Sequence, residues 1–225
     1  MGEPQRERKI TVILAADVVG FSKMMGEDEE GTLHNLEECR TAAEKEITAQ
    51  RGRVFGSAGD SIIAEFPSAV VAVNCASQIQ SALAKRNAGK SSADQMLFRI
   101  GVHAGDVIVD GENLFGDGVN IAARLESIAE PGGVCISGSV YDMVRSKVPF
   151  EIEHLGPRKL KNISTPITIY RVLAAPAPVR RAAIANEQSK APTGAELKVR
   201  RWTDLISLVA ILTIIGFALS YYLTR

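Results

Sequence analysis

A chain of 225 residues has room for one domain of ordinary size plus appendages, and a composition 46% hydrophobic and 23% charged is that of a folding chain rather than a disordered one. Lysine plus arginine and aspartate plus glutamate stand at 26 each, which excludes nucleic-acid binding driven by net charge. Three cysteines, Cys39, Cys75 and Cys135, are odd in number and far apart. They form neither a zinc-ligand spacing nor a disulfide framework, and are expected as small buried thiols.

The opening stretch, MGEPQRERKI, is charged and has no apolar core, so no cleavable signal is expected and the soluble part is expected in the cytoplasm. Ile10–Ala16 is a near-continuous apolar run of strand length. It leads into Asp17 and then Val18-Val19-Gly20-Phe21-Ser22. A glycine between a strand and a helix lets backbone N–H groups turn toward an anion. Over Glu29–Gln50, Leu33, Leu36, Ala43 and Ile47 recur at helical spacing. Arg53–Ala58 and Ser61–Phe66 read as short strands joined at Gly59-Asp60, a hairpin signal. Pro67-Ser68 opens a helix whose Ala69, Ala72, Ala76, Ile79 and Leu83 keep a 3–4 spacing. Leu97–Val102 and Val107–Val109 read as two strands, Asp117–Ala129 as a helix with Ile121, Leu125 and Ile128 on its apolar face, and Pro131-Gly132-Gly133 as its stop.

Residues 174–201 are rich in Ala, Pro and charge without apolar periodicity, and read as a linker. Leu205–Leu223 is uninterrupted by charge and long enough, at about 1.5 Å per residue, to cross a hydrocarbon core of about 30 Å. Trp202 and Tyr221-Tyr222 bracket it as interfacial anchors, and Lys198, Arg200 and Arg201 precede it. By the positive-inside rule the expectation is one membrane-anchoring helix over 202–225 in the cytoplasmic (inner) membrane, with the N-terminal domain on the cytoplasmic side.

The element order β-α-β-β-α-β with additions predicts an α+β, split ferredoxin-like domain over residues 9–173, an antiparallel sheet with helices on one face, preceded by a short tail over 1–8. In that arrangement the first strand and the hairpin are neighbours, so Asp17 and Asp60 approach each other. Two carboxylates in one turn-rich corner repel unless a cation neutralises them; Mg²⁺ and Mn²⁺ prefer oxygen ligands, and a pair of such ions clamps the attacking and leaving oxygens of a displacement at phosphorus. Asn120 and Arg124, four residues apart, share one helix face, and an arginine fork suits phosphate oxygens.

These features come as an ordered set: ADVVGFS (16–22), AGDSIIAEF (58–66), RIGVHAGDV (99–107), FGDGVNIAARLE (115–126) and LKNI with PITIYRV (160–172). With them the chain resembles the class III adenylyl/guanylyl cyclase catalytic domain, a palm-type fold, over almost all of residues 9–173. The resemblance implies a nucleotide cyclase, here an adenylate cyclase making cyclic AMP and pyrophosphate from ATP. It implies Asp17 and Asp60 as ligands of two Mg²⁺ or Mn²⁺ ions per site, with the Val18 carbonyl as a further ligand. Asn120 and Arg124 then steer the ribose and stabilise charge at phosphorus. Lys161 takes the triphosphate position, with Gly20, Phe21, Ser22 and Gly59 as substrate contacts. It further implies a homodimer, because in this family the metal aspartates come from one subunit and the Asn–Arg pair from the other.

The chain departs from the family pattern at the base. The lysine that reads adenine falls on Gly56, and its companion Asp or Thr falls on Asn113; the guanylyl pair of Glu and Cys is absent as well. Two readings stay open. Either ATP is accepted with other donors, Asn113 and Ser57 being candidates, or base reading has been lost, leaving a cyclase of guanylate or relaxed preference or a nucleotide-sensing regulatory dimer. The GG[DE]EF turn of diguanylate cyclases is absent, the hairpin reading SAGDS, and His34, His103 and His154 show no metal spacing.

Overall fold

The computed structural model describes residues 6–55, 59–92, 94–111 and 113–173. The linker and the expected membrane helix over 202–225 lie outside the described residues, as do Gly56 and Ser57. Among the described residues no helix is long and apolar enough to cross a membrane.

Among the described residues eight strands, β1 (Glu7–Val18), β2 (Arg53–Phe55), β3 (Ile62–Phe66), β4 (Phe98–Asp110), β5 (Asn113–Phe115), β6 (Val134–Ser137), β7 (Ile152–Arg158) and β8 (Ile167–Val172), form one sheet in the order β2-β3-β1-β4-β6-β8-β7, with β5 paired to β4 at its far end. An interior strand, β1 (Glu7–Val18), carries candidate residues at its end. It pairs antiparallel with β3 (Ile62–Phe66), from Val12 opposite Phe66 to Ala16 opposite Ile62. On its other side it pairs antiparallel with β4 (Phe98–Asp110), from Glu7 opposite Val109 to Val18 opposite Phe98. With β2 (Arg53–Phe55) these strands complete the expected ferredoxin-like half. The additions are β5 (Asn113–Phe115), β6 (Val134–Ser137), β7 (Ile152–Arg158) and β8 (Ile167–Val172).

Alternation along β1 divides its side chains between two faces. Val12, Leu14, Ala16 and Val18 meet α2 (Glu29–Ala49) through Leu36, Cys39, Ala43 and Ile47, and α3 (Ala69–Asn87) through Ala72, Val73, Cys75, Ala76, Ile79 and Leu83. The short α5 (Gly138–Val144) closes this layer with Val140 and Val144. Ile13 and Ala15 face the other way, onto Val107, Leu114 and Ala122 of α4 (Asp117–Ile128). The expectation of helices on one face therefore holds for α2 and α3 and fails for α4. The sheet is also mixed rather than antiparallel, because β6 runs parallel to β4. A parallel neighbour requires a crossover, and α4 is that crossover, laid across the face that α2 and α3 leave open.

Three smaller expectations are also corrected. The segments 97–102 and 107–109 are one strand, β4, because His103 to Asp106, Gly105 among them, remain extended within the β1 ladder. Leu33 is 44% exposed, and the buried stripe of α2 instead runs Thr32, Leu36, Cys39, Ala43, Ile47. Ile128 is 37% exposed, and Ala122 and Ala129 complete the buried face around Ile121 and Leu125. The three cysteines are free and buried, as expected; burial pushes the Cys75 and Cys135 thiols up to about 12 and about 11.

The approach of α4 to the sheet is set by Gly101. A Cβ there would lie 2.2 Å from the Ala122 carbonyl oxygen and 2.3 Å from the Glu126 backbone nitrogen, so only glycine permits this contact. Two residues on, His103 is buried with its Nδ1 2.9 Å from the Ser137 hydroxyl, tying β4 to β6. Burial holds the imidazole at about 4, well below the ordinary value for histidine. Farther along α4, Ile121 and Leu125 pack with Leu160, Cys135 and Ile169, which seats the loop between β7 and β8.

Two outcomes are expected. His103 is neutral in the fold but protonates in the unfolded chain, so its contribution is complete above about pH 6.5 and is lost as the pH falls toward 4. In urea titrations, His103→Gln flattens the stability curve over that window, by up to about 3 kcal/mol. Leu160→Ala empties a packed seat and costs about 2–4 kcal/mol, and it speeds trypsin cleavage at Arg158, Lys159 or Lys161 in the loop that Leu160 anchors.

Candidate active site

The end of β1 delivers Asp17 to the face that carries α4. In the β1–β4 ladder Asp17 stands directly opposite Arg99, an opposite-charge cross-strand pair. The guanidinium meets the carboxylate as a fork: Nε donates to Oδ1 at 3.0 Å and Nη2 to Oδ2 at 2.6 Å.

Asp60 arrives from the turn between β2 and β3. The register of β3 along β1 places this turn beside the end of the first strand, and Asp60 Oδ2 accepts a hydrogen bond from the Val18 N–H at 3.1 Å. Arg40 of α2 donates to the Gly59 carbonyl and holds the turn from outside. The expected approach of Asp17, Val18 and Asp60 is thus what the fold produces.

A third carboxylate shares the corner. Glu126, on the buried face of α4, is 8% exposed; its Oε1 lies 3.5 Å from Arg99 Nη2 and accepts no hydrogen bond among the described residues. Burial first, and the adjacent Asp17 carboxylate second, push its pKa up, against the opposing pull of Arg99. Asp17 and Glu126 thus both face the guanidinium of Arg99, with Asp60 close enough for its charge to be felt there.

Oxygen donors in carboxylate excess suit a hard divalent cation such as Mg²⁺ or Mn²⁺. Among the described residues no group of three His, Cys, Asp or Glu is disposed to hold a metal by itself. Asp17 and Asp60 would therefore share an ion with a backbone carbonyl, water and phosphate oxygens, which is how Mg²⁺ is ordinarily held. On this chemistry the corner fits the expected ions.

After Val19, whose N–H bonds the Leu97 carbonyl, the chain turns at Gly20 with φ 72° and enters α1 (Phe21–Glu27). The Gly20 carbonyl accepts from Lys23 and Met24, which leaves the N–H groups of Phe21 and Ser22 without partners inside the helix.

Asn120 and Arg124 lie one turn apart on α4, the first exposed and the second half-buried. Arg124 is two positions from Glu126, so the two side chains leave the helix in widely different directions. No hydrogen bond or ion pair among the described residues joins Asn120, Arg124 or Lys161 to Asp17 or Asp60. Lys161 is exposed beside buried Leu160 in the loop between β7 and β8, and Asn113 is exposed in β5 opposite Asp110.

Sequence reasoning missed Arg99, Glu126 and Arg40. Glu126 carried a signal: it follows Leu125 on the stripe that packs against the sheet, and an acidic residue at a buried helical position is rare without a purpose. Arg99 lay inside a recognised block, but its pairing with Asp17 exists only in the register of two strands far apart in the chain.

Residues 3–174 match the family model described as the adenylate and guanylate cyclase catalytic domain. A Rhizobium meliloti protein named "Putative adenylate cyclase 3" is 40% identical over 172 residues, covering 76% of this chain and 29% of that protein. The first curated relatives are all much longer, and the chain spans between 20% and 35% of their lengths. Among solved structures, the adenylate/guanylate cyclase/hydrolase of Silicibacter pomeroyi is 34% identical with a TM-score of 0.71, over 75% of this chain and 99% of that one. The adenylyl cyclase CyaB of P. aeruginosa, at 23% identity and a TM-score of 0.68 over 77% and 98%, shares the fold. On its sequence, its sheet and its paired carboxylates, this chain belongs to the adenylate and guanylate cyclase catalytic domain family.

Proposed function

We propose that the protein is an adenylate cyclase that converts ATP to 3′,5′-cyclic AMP and pyrophosphate at sites shared between two copies of the chain. The observation that carries this reading is the convergence of Asp17 and Asp60 at the end of β1, with the Val18 N–H bonded to Asp60. Asp17, Asp60 and the Val18 carbonyl would hold two Mg²⁺ or Mn²⁺ ions. Such ions, when bound, favour ionisation of the ribose 3′-hydroxyl and offset the charge of the triphosphate.

The chain's own side chains do the positioning. Asn120 orients the ribose so that its 3′-oxygen lies in line with the α-phosphorus and the departing pyrophosphate. Arg124 donates to the α-phosphoryl oxygens as charge builds on them, a role suited to a planar fork that never loses its proton. Lys161, next to anchored Leu160, neutralises the triphosphate, and the backbone from Gly20 to Ser22 and at Gly59 lies along it. The heavy-atom bonds that form and break stay within the nucleotide: the 3′-oxygen, giving its proton to water, bonds the α-phosphorus as the bond to the bridging oxygen breaks and pyrophosphate departs.

That no hydrogen bond or ion pair among the described residues joins Asn120 or Arg124 to Asp17 or Asp60 agrees with a homodimer in which each copy contributes one half of each of two equivalent sites. The apolar run at Leu205–Leu223 supports a single anchoring helix in the cytoplasmic membrane, with the catalytic domain inside.

Incubation of the chain with ATP or GTP and Mn²⁺, with the products identified by mass, tests the reading. Cyclic AMP from ATP is expected; no cyclic product from either nucleotide at high protein concentration would overturn it, and cyclic GMP alone would move the base assignment. The shared site has its own test. Asp17→Ala and Arg124→Ala should each lower turnover by about a hundredfold or more. Mixed in equal amounts they should recover about a quarter of the wild-type rate, since half of the dimers formed at random keep one of two sites intact. No recovery while subunits demonstrably exchange would exclude the cross-chain assignment.

A further inference from the structure

Arg99 and Glu126 sit in the carboxylate corner, and the reaction as described uses neither. The Arg99 fork takes both oxygens of Asp17, at 3.0 and 2.6 Å. A carboxylate held this way has its in-plane lone pairs directed at the guanidinium, and they are not free to face a metal ion from the same side. The charge of Arg99 also repels any cation that approaches Asp17. A divalent ion that takes Asp17 through those same lone pairs therefore gains it only as Arg99 gives up at least one of its oxygens.

A displaced guanidinium in a partly buried corner needs another acceptor, since an unpaired charge there is costly. Glu126 offers one. Its Oε1 is 3.5 Å from Nη2, the atom that makes the shorter bond to Asp17. That oxygen is buried and accepts no hydrogen bond among the described residues. The Ser127 carbonyl, 3.5 Å from Nη1, lies in the same direction. Gly101 keeps this part of α4 against β4, with no room even for a methyl group between them, so the second seat is held at a fixed distance from the first.

We propose that Arg99 is a positioning residue that clasps Asp17 when no cation is bound, and that Glu126 is the alternate acceptor to which its guanidinium moves when a divalent cation takes Asp17. The guanidinium stays within the corner as it moves, so the arriving ion adds the positive charge that the excess of carboxyl groups lacks. The clasp holds Asp17 in rotamer and register while the site is empty. It also sets a threshold for loading, because each ion competes with an internal guanidinium. This rests on the reading of Asp17 as a metal ligand.

Mn²⁺ binding to the full-length chain without nucleotide, followed by the electron paramagnetic resonance of free Mn²⁺, tests it. Arg99→Gln removes the competitor and should tighten binding about tenfold; Glu126→Gln removes the second seat and should weaken it about tenfold. A merely local effect of charge predicts the same two signs, so the double variant decides. In the Arg99→Gln background, Glu126→Gln should change affinity by less than about twofold, because no guanidinium remains to be received. An undiminished effect of Glu126→Gln in that background overturns the proposal, and marks Glu126 as acting on the ion directly. Arg99→Gln that binds no more tightly than wild type overturns it too, as does a wild-type chain that binds no Mn²⁺. Thermal melts report folding. If Arg99→Gln does not fold, Arg99→Lys keeps the charge but loses the fork; it should tighten binding about threefold and blunt the Glu126→Gln effect in the same way. The cyclase reading fails separately: coupling in Mn²⁺ binding without any cyclic product keeps the exchange and removes the activity, and turnover without coupling does the reverse.

Discussion

The antiparallel pairing of β1 with β4, unbroken from Glu7 opposite Val109 to Val18 opposite Phe98, is the constraint on which the rest of the molecule depends. It sets Ala15 against Gly101 and Asp17 against Arg99, two positions apart and therefore on one face. The first contact lets α4 come down onto the sheet, and the second puts a guanidinium on a carboxylate. A slip of one residue would turn Asp17 toward α2 and α3 and bury a charge among Leu36, Ile79 and Phe98. Hydrophobic register and the geometry of the candidate site are thus enforced together.

The two faces of the sheet carry different loads. The layer of α2 and α3 is built from Ala, Val, Cys, Ile and Leu and supplies the larger continuous core. The α4 face is divided into two smaller clusters, with the charged corner of Asp17, Arg99 and Glu126 at the end of β1. A charged group is costly in a dry interior and inexpensive at the margin of a thin apolar layer. That difference accounts for why the carboxylates gather beside α4 and not beside α3.

Much of this was legible in residue order. The strand before Asp17, the Gly59-Asp60 turn and the stripe Ala69, Ala72, Ala76, Ile79, Leu83 were readable because each depends on neighbours within a turn or a hairpin. The long β4 reads as two strands because His103 to Asp106 interrupt the apolar pattern, yet these residues, Gly105 among them, are extended within the ladder. Leu33 keeps the helical spacing yet lies exposed, because spacing alone does not say which side of a helical stripe its neighbours cover. The placement of α4 escapes residue order for a related reason: amphipathic pattern gives a buried face but not the sheet face it is buried against.

By itself the sequence determined the kinds of groups available and their local setting: two aspartates each at the edge of an extended segment, an Asn–Arg pair one helical turn apart, a lysine beside an anchoring leucine. Local sterics and periodicity suffice for these, so they can be read without coordinates. Only the tertiary structure decided that Arg99 grips Asp17 and that Glu126 stands behind it, within ion-pair distance, with a buried oxygen that accepts no hydrogen bond among the described residues. Those relations join β1, β4 and α4 across long stretches of chain. They depend on strand register and on the close approach at Gly101, which packing of the whole domain selects and no local pattern encodes.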